Sequence, residues 1–144
     1  LSTRAESERL FVSKVDPTKA DEALTAYTEY LAVETDPEKK ARAQMAAAQM
    51  LLDAGAADKA FIEFKKILDQ TPDNPDANLG AGLSLFGTGD KTKYQDAANY
   101  LQKFVDTAPD THKYKGDAKA ILTELKNTEK VEPQKTAPAR RRRG

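Results

Sequence analysis

Apolar residues three and four positions apart recur along this chain in segments that open on an Asx-Pro step. After Asp16-Pro17, the positions Ala20, Ala23, Leu24, Tyr27, Tyr30 and Leu31 predict a helix to about Val33 with one apolar face. An Asp before the first turn accepts from unpaired backbone N–H groups, and proline at the first helical position has no N–H to leave unpaired. Asp36-Pro37-Glu38 opens the next helix in the same way, but there the run Ala41 to Ala54 is apolar almost all round: Ala47, Ala48 and Leu51 on one face, Met45, Gln49 and Leu52 on another. Such a helix must be covered on two sides or must offer one side to a ligand. The segment Asp58 to Asp69 has a single stripe, Ala60, Phe61, Phe64, Ile67 and Leu68, with charged residues outside it. Asn74-Pro75 then opens a second two-sided helix, with Leu79, Leu83 and Phe86 on one side and Asn78, Ala81, Gly82 and Leu85 on the other. Tyr94 to Thr107 returns to one stripe, Ala97, Ala98, Leu101, Phe104 and Val105. Alternating two-sided and one-sided helices are what the inner and outer layers of a stacked helical solenoid require.

The ends of the pattern read differently. Thr3 to Val15, with Leu10 and Phe11 among charges, reads as a helix left from an earlier repeat. Asp110 or Thr111 is expected to cap a last helix to about Lys126, whose narrow stripe of Ala118, Ile121, Leu122 and Leu125 suits a polar-backed lid on an open-ended stack. From Glu132 to Gly144 there are prolines at 133 and 138, no apolar period and four adjacent arginines, a composition that predicts disorder.

The central stretch contains one pattern written twice. Gln70-Thr71-Pro72-Asp73 matches Thr107-Ala108-Pro109-Asp110, and Ala60, Phe64 and Ile67 fall opposite Ala97, Leu101 and Phe104, an offset of 37 residues. In the first halves, Gln44, Ala48 and Leu51 fall opposite Asn78, Gly82 and Leu85, an offset of 34. Three extra residues therefore lie between the halves of the second copy, and the polar run Gly87 to Lys93 has room for them. Lengthening a surface loop by that much costs only a few tenths of a kcal/mol, on the order of the logarithmic closure entropy. Gly80 and Gly82 each give up about 1 kcal/mol of helix propensity relative to alanine. Close helix contact at Gly82 is the expected compensation.

A 34-residue helix-turn-helix period with small residues at the eighth (Ala48, Gly82) and twentieth (Ala60, Ala97) positions and proline near the end (Pro72, Pro109) resembles the tetratricopeptide repeat family. The resemblance implies an all-α, right-handed helical-repeat solenoid of antiparallel helix pairs over residues 1–127. Its parts are repeats at about 41–74 and 75–111, a partial N-terminal repeat at about 3–36 and a C-terminal capping helix at about 112–127, followed by a disordered basic tail at 128–144. The sequence departs from the family at Gln44 and Asn78, where a large residue is usual, and at Ile67 and Phe104, where a small one is usual. The family's concave groove implies a partner-binding surface at Arg42, Met45, Gln49 and Leu52 of the first full repeat and Asp76, Leu79, Leu83 and Phe86 of the second. Members that grip an acidic C-terminal peptide use Lys and Asn there, and only Arg42 is of that kind here, so a carboxylate clamp is not expected.

The resemblance thus implies a protein-protein interaction adaptor or scaffold that takes a short apolar or helical segment of a partner protein, with no enzymatic activity. Within the sequence, a face covered by a neighbouring helix competes with an open groove at Met45, Leu52, Leu79, Leu83 and Phe86.

Charge adds an alternative. The formal net charge is zero, but from Lys126 onward seven basic residues face Glu129 and Glu132, a balance of +5 that leaves 16 basic and 21 acidic residues (−5) in the body. An acidic body argues against a broad nucleic-acid surface on the folded part. The tail residues Arg140, Arg141, Arg142 and Arg143 suit weak, salt-dependent tethering to a phosphate polyanion, either nucleic acid or an anionic membrane.

Catalytic and cofactor chemistry finds little purchase. His112 is the one histidine and there is no cysteine, which excludes His-His metal sites, thiolate sites and disulfides. Gly87-Thr88-Gly89-Asp90-Lys91-Thr92 lacks the spacing of a phosphate loop, and Asp73-Asn74-Pro75-Asp76 lacks the spacing and central glycine of a calcium loop. No cofactor, metal or small-molecule substrate is expected. No window approaches the 18 or so apolar residues of a membrane helix. The compartment stays open with a slight lean to the cytoplasm, because Leu1 is not a start methionine and a signal or anchor upstream lies outside the sequence.

Overall fold

The computed structural model describes residues 17–134, with side chains described from Asp21 onward. The helix expected at Thr3 to Val15 and the arginine cluster lie outside the described residues. Six α-helices follow in order, α1 (Pro17–Val33), α2 (Pro37–Asp53), α3 (Ala57–Gln70), α4 (Pro75–Gly87), α5 (Tyr94–Thr107) and α6 (Lys115–Glu129), with a short 3-10 turn at Lys91–Lys93 before α5. No strand occurs among the described residues. Each helix packs chiefly against its neighbour in sequence, and α2 also meets α4 directly. This is an all-α helical-repeat solenoid, in which each unit is stabilised by the units beside it.

Local chemistry sets the helix starts. Asp36 Oδ1 accepts from the Glu38 N–H at 3.0 Å and Asn74 Oδ1 from the Ala77 N–H at 3.1 Å, with Pro37 and Pro75 opening the first turns. The doubled pattern is visible in the spacing. Helices α2 and α4 end at Asp53 and Gly87, 34 residues apart, while α3 and α5 both span 14 residues and begin 37 apart. The three surplus residues sit in the Thr88–Lys93 connection, where Asp90 Oδ1 accepts from both the backbone N–H (3.0 Å) and the hydroxyl (2.6 Å) of Thr92 and organises the 3-10 turn.

Helix α4 is the centre of the stack. Its residues Ala77 to Leu85 are all buried, between α3 on one side and α5 on the other. Two glycines allow that approach. A methyl placed on Gly80 would stand 2.3 Å from Phe64 Cε1, and one on Gly82 would stand 2.7 Å from Leu101 Cγ and 3.2 Å from the Ala97 carbonyl oxygen. Phe64 and Leu101 occupy equivalent positions of the two repeats, so α4 has a glycine facing the large residue of the equivalent position on each flank. The contact expected at Gly82 is present. The one at Gly80 is tighter still.

The departures from the usual repeat residues also have physical reasons. Asn78 is buried to 2% exposure, and its side-chain amide donates to the carbonyls of Pro72 (3.1 Å) and Asn74 (3.0 Å), tying the inter-repeat turn to the helix it leads into. Ser84, fully buried, donates its hydroxyl to the Gly80 carbonyl at 2.7 Å and needs no other partner. Phe104 is fully buried where a small residue is usual, and its ring meets the edge of His112, with centroids 4.8 Å apart at 86°.

The last helix differs from its expected limits. It begins at Lys115 rather than at Asp110 or Thr111, because residues 109–114 are spent on two turns closed by His112 N–H to Pro109 O (2.9 Å) and Lys115 N–H to His112 O (3.1 Å). Asp110 does not cap it. The Lys115 ammonium instead bonds Asp110 Oδ1 and the Ala108 carbonyl, both at 2.9 Å, and this contact holds the Asp110 carboxyl below the usual carboxylate range. At the other end α6 continues to Glu129, two residues past the expected boundary, and residues 131–134 lie back along α5.

Because Phe64 and Leu101 are 1% and 0% exposed and stand within clashing distance of an added methyl, adding volume at either glycine forces side chains or helices to shift. Gly80→Ala and Gly82→Leu should each lower unfolding free energy by about 1–3 kcal/mol through overpacking, even though both substitutions raise helix propensity. Urea denaturation followed by circular dichroism measures this, and unchanged midpoints would contradict the close approach.

Candidate functional site

Inner helices α2 and α4 and the turn that leads into α6 face one another across a concavity of about 510 Å³. Helix α2 contributes Arg42, Met45, Ala46 and Gln49, and α4 contributes Asp76, Leu79, Gly80 and Leu83. These residues share a face because they recur at three- and four-residue steps on each helix. The third wall is His112, Lys113 and Tyr114.

Depth is graded across the site. Leu79 and Leu83, 6% and 5% exposed, form the floor; Met45 and Gln49 are half-buried; Arg42 and Asp76 are exposed at the rim. The face is thus neither sealed nor fully open, and the two readings that competed in the sequence each describe part of it. The lower leucines pack into the core, and Met45 and Tyr114 remain half-covered. The Gln49 side-chain amide donates to Asp53 Oδ1 at 3.0 Å, leaving its carbonyl directed by an intrahelical bond.

His112 organises the third wall. Its Nδ1 accepts from the Tyr114 backbone N–H at 3.2 Å, so in the neutral ring the proton sits on Nε2, which donates to Asp76 Oδ1 at 2.9 Å. This bond joins the start of α4 to the turn before α6 across one end of the concavity. The Lys113 ammonium lies 5.1 Å from the centroid of the Tyr114 ring, a cation–π distance that keeps a positive charge beside the aromatic wall.

Six of the eight groove residues named from the sequence, Arg42, Met45, Gln49, Asp76, Leu79 and Leu83, border this concavity. Leu52 and Phe86 do not border it. Leu52 is 7% exposed and belongs to the core, one turn too far along α2. Phe86 turns to Tyr94, with ring centroids 5.6 Å apart, because the long connection after α4 brings the start of α5 beside it. The structure adds His112, Lys113 and Tyr114. A histidine and a tyrosine two residues apart after the repeat-closing proline were the available signal, obscured because the residues leading into α6 fall outside the repeated pattern. Arg140 to Arg143 lie outside the described residues.

Among the described residues, no group of three His, Asp or Glu side chains is placed to hold a metal ion, and no helix is long and apolar enough to cross a membrane.

Residues 10–75 match the family model described as Tetratricopeptide repeat. Neither the curated proteins nor the solved structures gave a significant match. Repeats of the matched family are non-catalytic and generally mediate protein–protein interaction.

Removing the histidine that closes the wall has a measurable consequence. His112→Ala deletes the Asp76 bond and the edge contact with Phe104, and should cost about 1–2 kcal/mol, the order expected for one hydrogen bond plus one aromatic pair. Nitrogen NMR of the wild-type ring at alkaline pH should show the Nε2-protonated tautomer. A proton on Nδ1, or no change in stability on substitution, would contradict this wall geometry.

Proposed function

We propose that the chain, whose residues 10–75 match the tetratricopeptide repeat model, is a protein-binding adaptor whose partner places a short apolar or helical segment in the concavity between α2, α4 and the turn before α6. The observation that carries this reading is the site's make-up: an apolar floor of Leu79 and Leu83, an adaptable half-buried Met45, and a polar rim of Arg42, Asp76 and Gln49. Buried apolar area supplies affinity and a polar rim supplies register. Methionine's unbranched thioether lets one wall repack around anchors of different shape.

Size limits the partner. A volume of about 510 Å³ receives a few side chains and no more, so the partner contributes one or two anchors and not a domain face. A helix presenting anchors at i and i+3 or i+4 fits this limit, as in other helix-in-groove interactions. The rim has both signs of charge, Arg42 and Lys113 against Asp76, which favours a partner with mixed flanks over a purely acidic tail.

The test belongs at half-exposed residues, because a charge at Leu79 or Leu83 would be buried and unfold the domain. Peptides selected from a displayed random library against the full chain should carry paired apolar residues three or four apart. Met45→Glu should weaken their binding by about tenfold or more, the order of losing one buried anchor at roughly 1.4 kcal/mol or above, with the melting temperature unchanged. Peptides that bind wild type and Met45→Glu equally well would place recognition elsewhere on the molecule.

A further inference from the structure

Arg42 borders two cavities. On one side it forms the rim of the inner concavity, and on the other it edges a cleft of about 660 Å³ between α1 and α2, walled by Ala23, Ala26, Tyr27 and Tyr30 of α1 and by Ala43 of α2. Three alanines leave the cleft wide, and the two tyrosine rings supply its wall. Tyr27 is half-buried and Tyr30 is 40% exposed. The Tyr30 ring is held in place by its hydroxyl, which donates to Glu34 Oε1 at 2.9 Å. The α2 residues of the cleft, Lys39 to Ala43, centre about one turn before those of the concavity, Arg42 to Gln49, roughly 6 Å along the helix axis. One bound segment can therefore pass from concavity to cleft over the Arg42 side chain.

Charge at the crossing is one-sided. Lys39 and Arg42, three residues apart on α2 and both exposed, form no ion pair among the described residues, whereas Lys59, Lys65 and Lys66 of α3 are each paired with a carboxylate. Glu34, whose carboxyl feels the Lys39 charge, is already engaged. Its Oε1 accepts from Tyr30, and its Oε2 accepts from the backbone N–H groups of Thr35 and Asp36 at 3.0 and 2.8 Å. At the opposite side of the concavity, the α4 residue equivalent to Arg42 is Asp76. An acidic group on a bound segment is thus drawn toward α1 and repelled from α4.

We infer that the partner segment continues from the inner concavity over Arg42 into the α1–α2 cleft, with an Asp or Glu side chain at the crossing and, beyond it, an apolar or aromatic side chain seated against Tyr27 and Tyr30. This rests on the reading of the concavity as the binding site. The Arg42 guanidinium offers a carboxylate a two-pronged fork, and the Lys39 ammonium adds a second charge on a flexible stem. Tyrosine faces give a side chain a broad apolar contact. Exposed ion pairs contribute modestly, so the acidic residue sets the direction and register of the segment and the anchors on its two sides set affinity. Once one anchor is seated, the other binds as an intramolecular step.

Displayed peptides selected against the full chain test this. Selection should enrich Asp or Glu beside the paired apolar residues, with a further apolar or aromatic residue beyond the acid. A synthetic copy of an enriched peptide should bind about fivefold more tightly than its amide counterpart at low ionic strength. That ratio should fall toward one in the Arg42→Gln/Lys39→Gln variant and in high salt. In NMR spectra of the wild-type chain, the Tyr27 and Tyr30 ring signals should shift with the whole peptide and stay in place with a copy cut off at the acid. Equal binding of the acid and amide forms would overturn the inference. So would ring signals unmoved at saturation, the result given by a cleft covered by the chain's own residues or by a second copy. Met45→Glu separates the two failures: if it still weakens the same peptides, the concavity reading stands and only the crossing falls.

Discussion

The close approach of α4 to the helices on its two flanks is the constraint on which the remaining structure depends. Nine consecutive residues, Ala77 to Leu85, are buried, which an isolated amphipathic helix would never show. Gly80 lets the Phe64 ring lie against the backbone of α4, and Gly82 does the same for the Leu101 side chain. Both glycines weaken the helix as a helix. Stability comes from dispersion contacts and apolar burial at short interaxial distance, gained on two flanks at once. The stack is therefore held by shape at its centre, and its surface ion pairs, such as Lys65 with Asp69 and Lys59 with Asp21, are exposed contacts of small energetic weight.

That constraint also generates the concavity. With one flank of α4 fixed to α3 and another to α5, Leu79 and Leu83 are turned toward α2 and the start of α6. The contact between α2 and α4 is much slighter than that of either helix with α3. The inner helices thus stand apart where the outer helices wedge between them, and the floor residues line the gap. A larger residue at position 80 would shift α4 away from Phe64 and change the gap at the same time, so packing and the candidate site share one backbone.

How much of this was legible in the sequence follows from which constraints are local. Helix starts at Pro37 and Pro75, the offsets of 34 and 37 and the placing of Met45, Leu79 and Leu83 on an inner face all depend on period and on capping chemistry, which a single sequence displays. The sequence marks both Gly80 and Gly82 as costly in a helix but points to a close contact only at Gly82, the position where a small residue is usual; only the Phe64 ring seen in place shows that Gly80 is the more tightly contacted. Leu52 and Phe86 lie off the concavity, and an apolar residue at the right spacing has the same appearance in the sequence whether it meets a groove, a core or another ring. Asn78, conspicuous as a polar residue at an apolar position, is explained by carbonyls of a turn that folds back on it. The route of residues 131–134 depends on side-chain amides 35 or more positions away, a contact that no local pattern records.

The end of the stack is where these two kinds of information meet. A repeat array needs a terminal helix with a polar outer face, and the narrow stripe of Ala118, Ile121 and Leu125 meets that need by packing on α5. A lid alone, however, would not require the two turns that delay α6 until Lys115. Those turns place the His112 edge against Phe104 and its Nε2 against Asp76, so the residues that prepare the lid also close one side of the concavity. Phe104 is large where the repeat is usually small, and that size brings it to the imidazole. The departure from the repeat at Phe104 and the third wall of the groove are one packing event, in which a ring on the last outer helix meets the imidazole that closes the inner concavity.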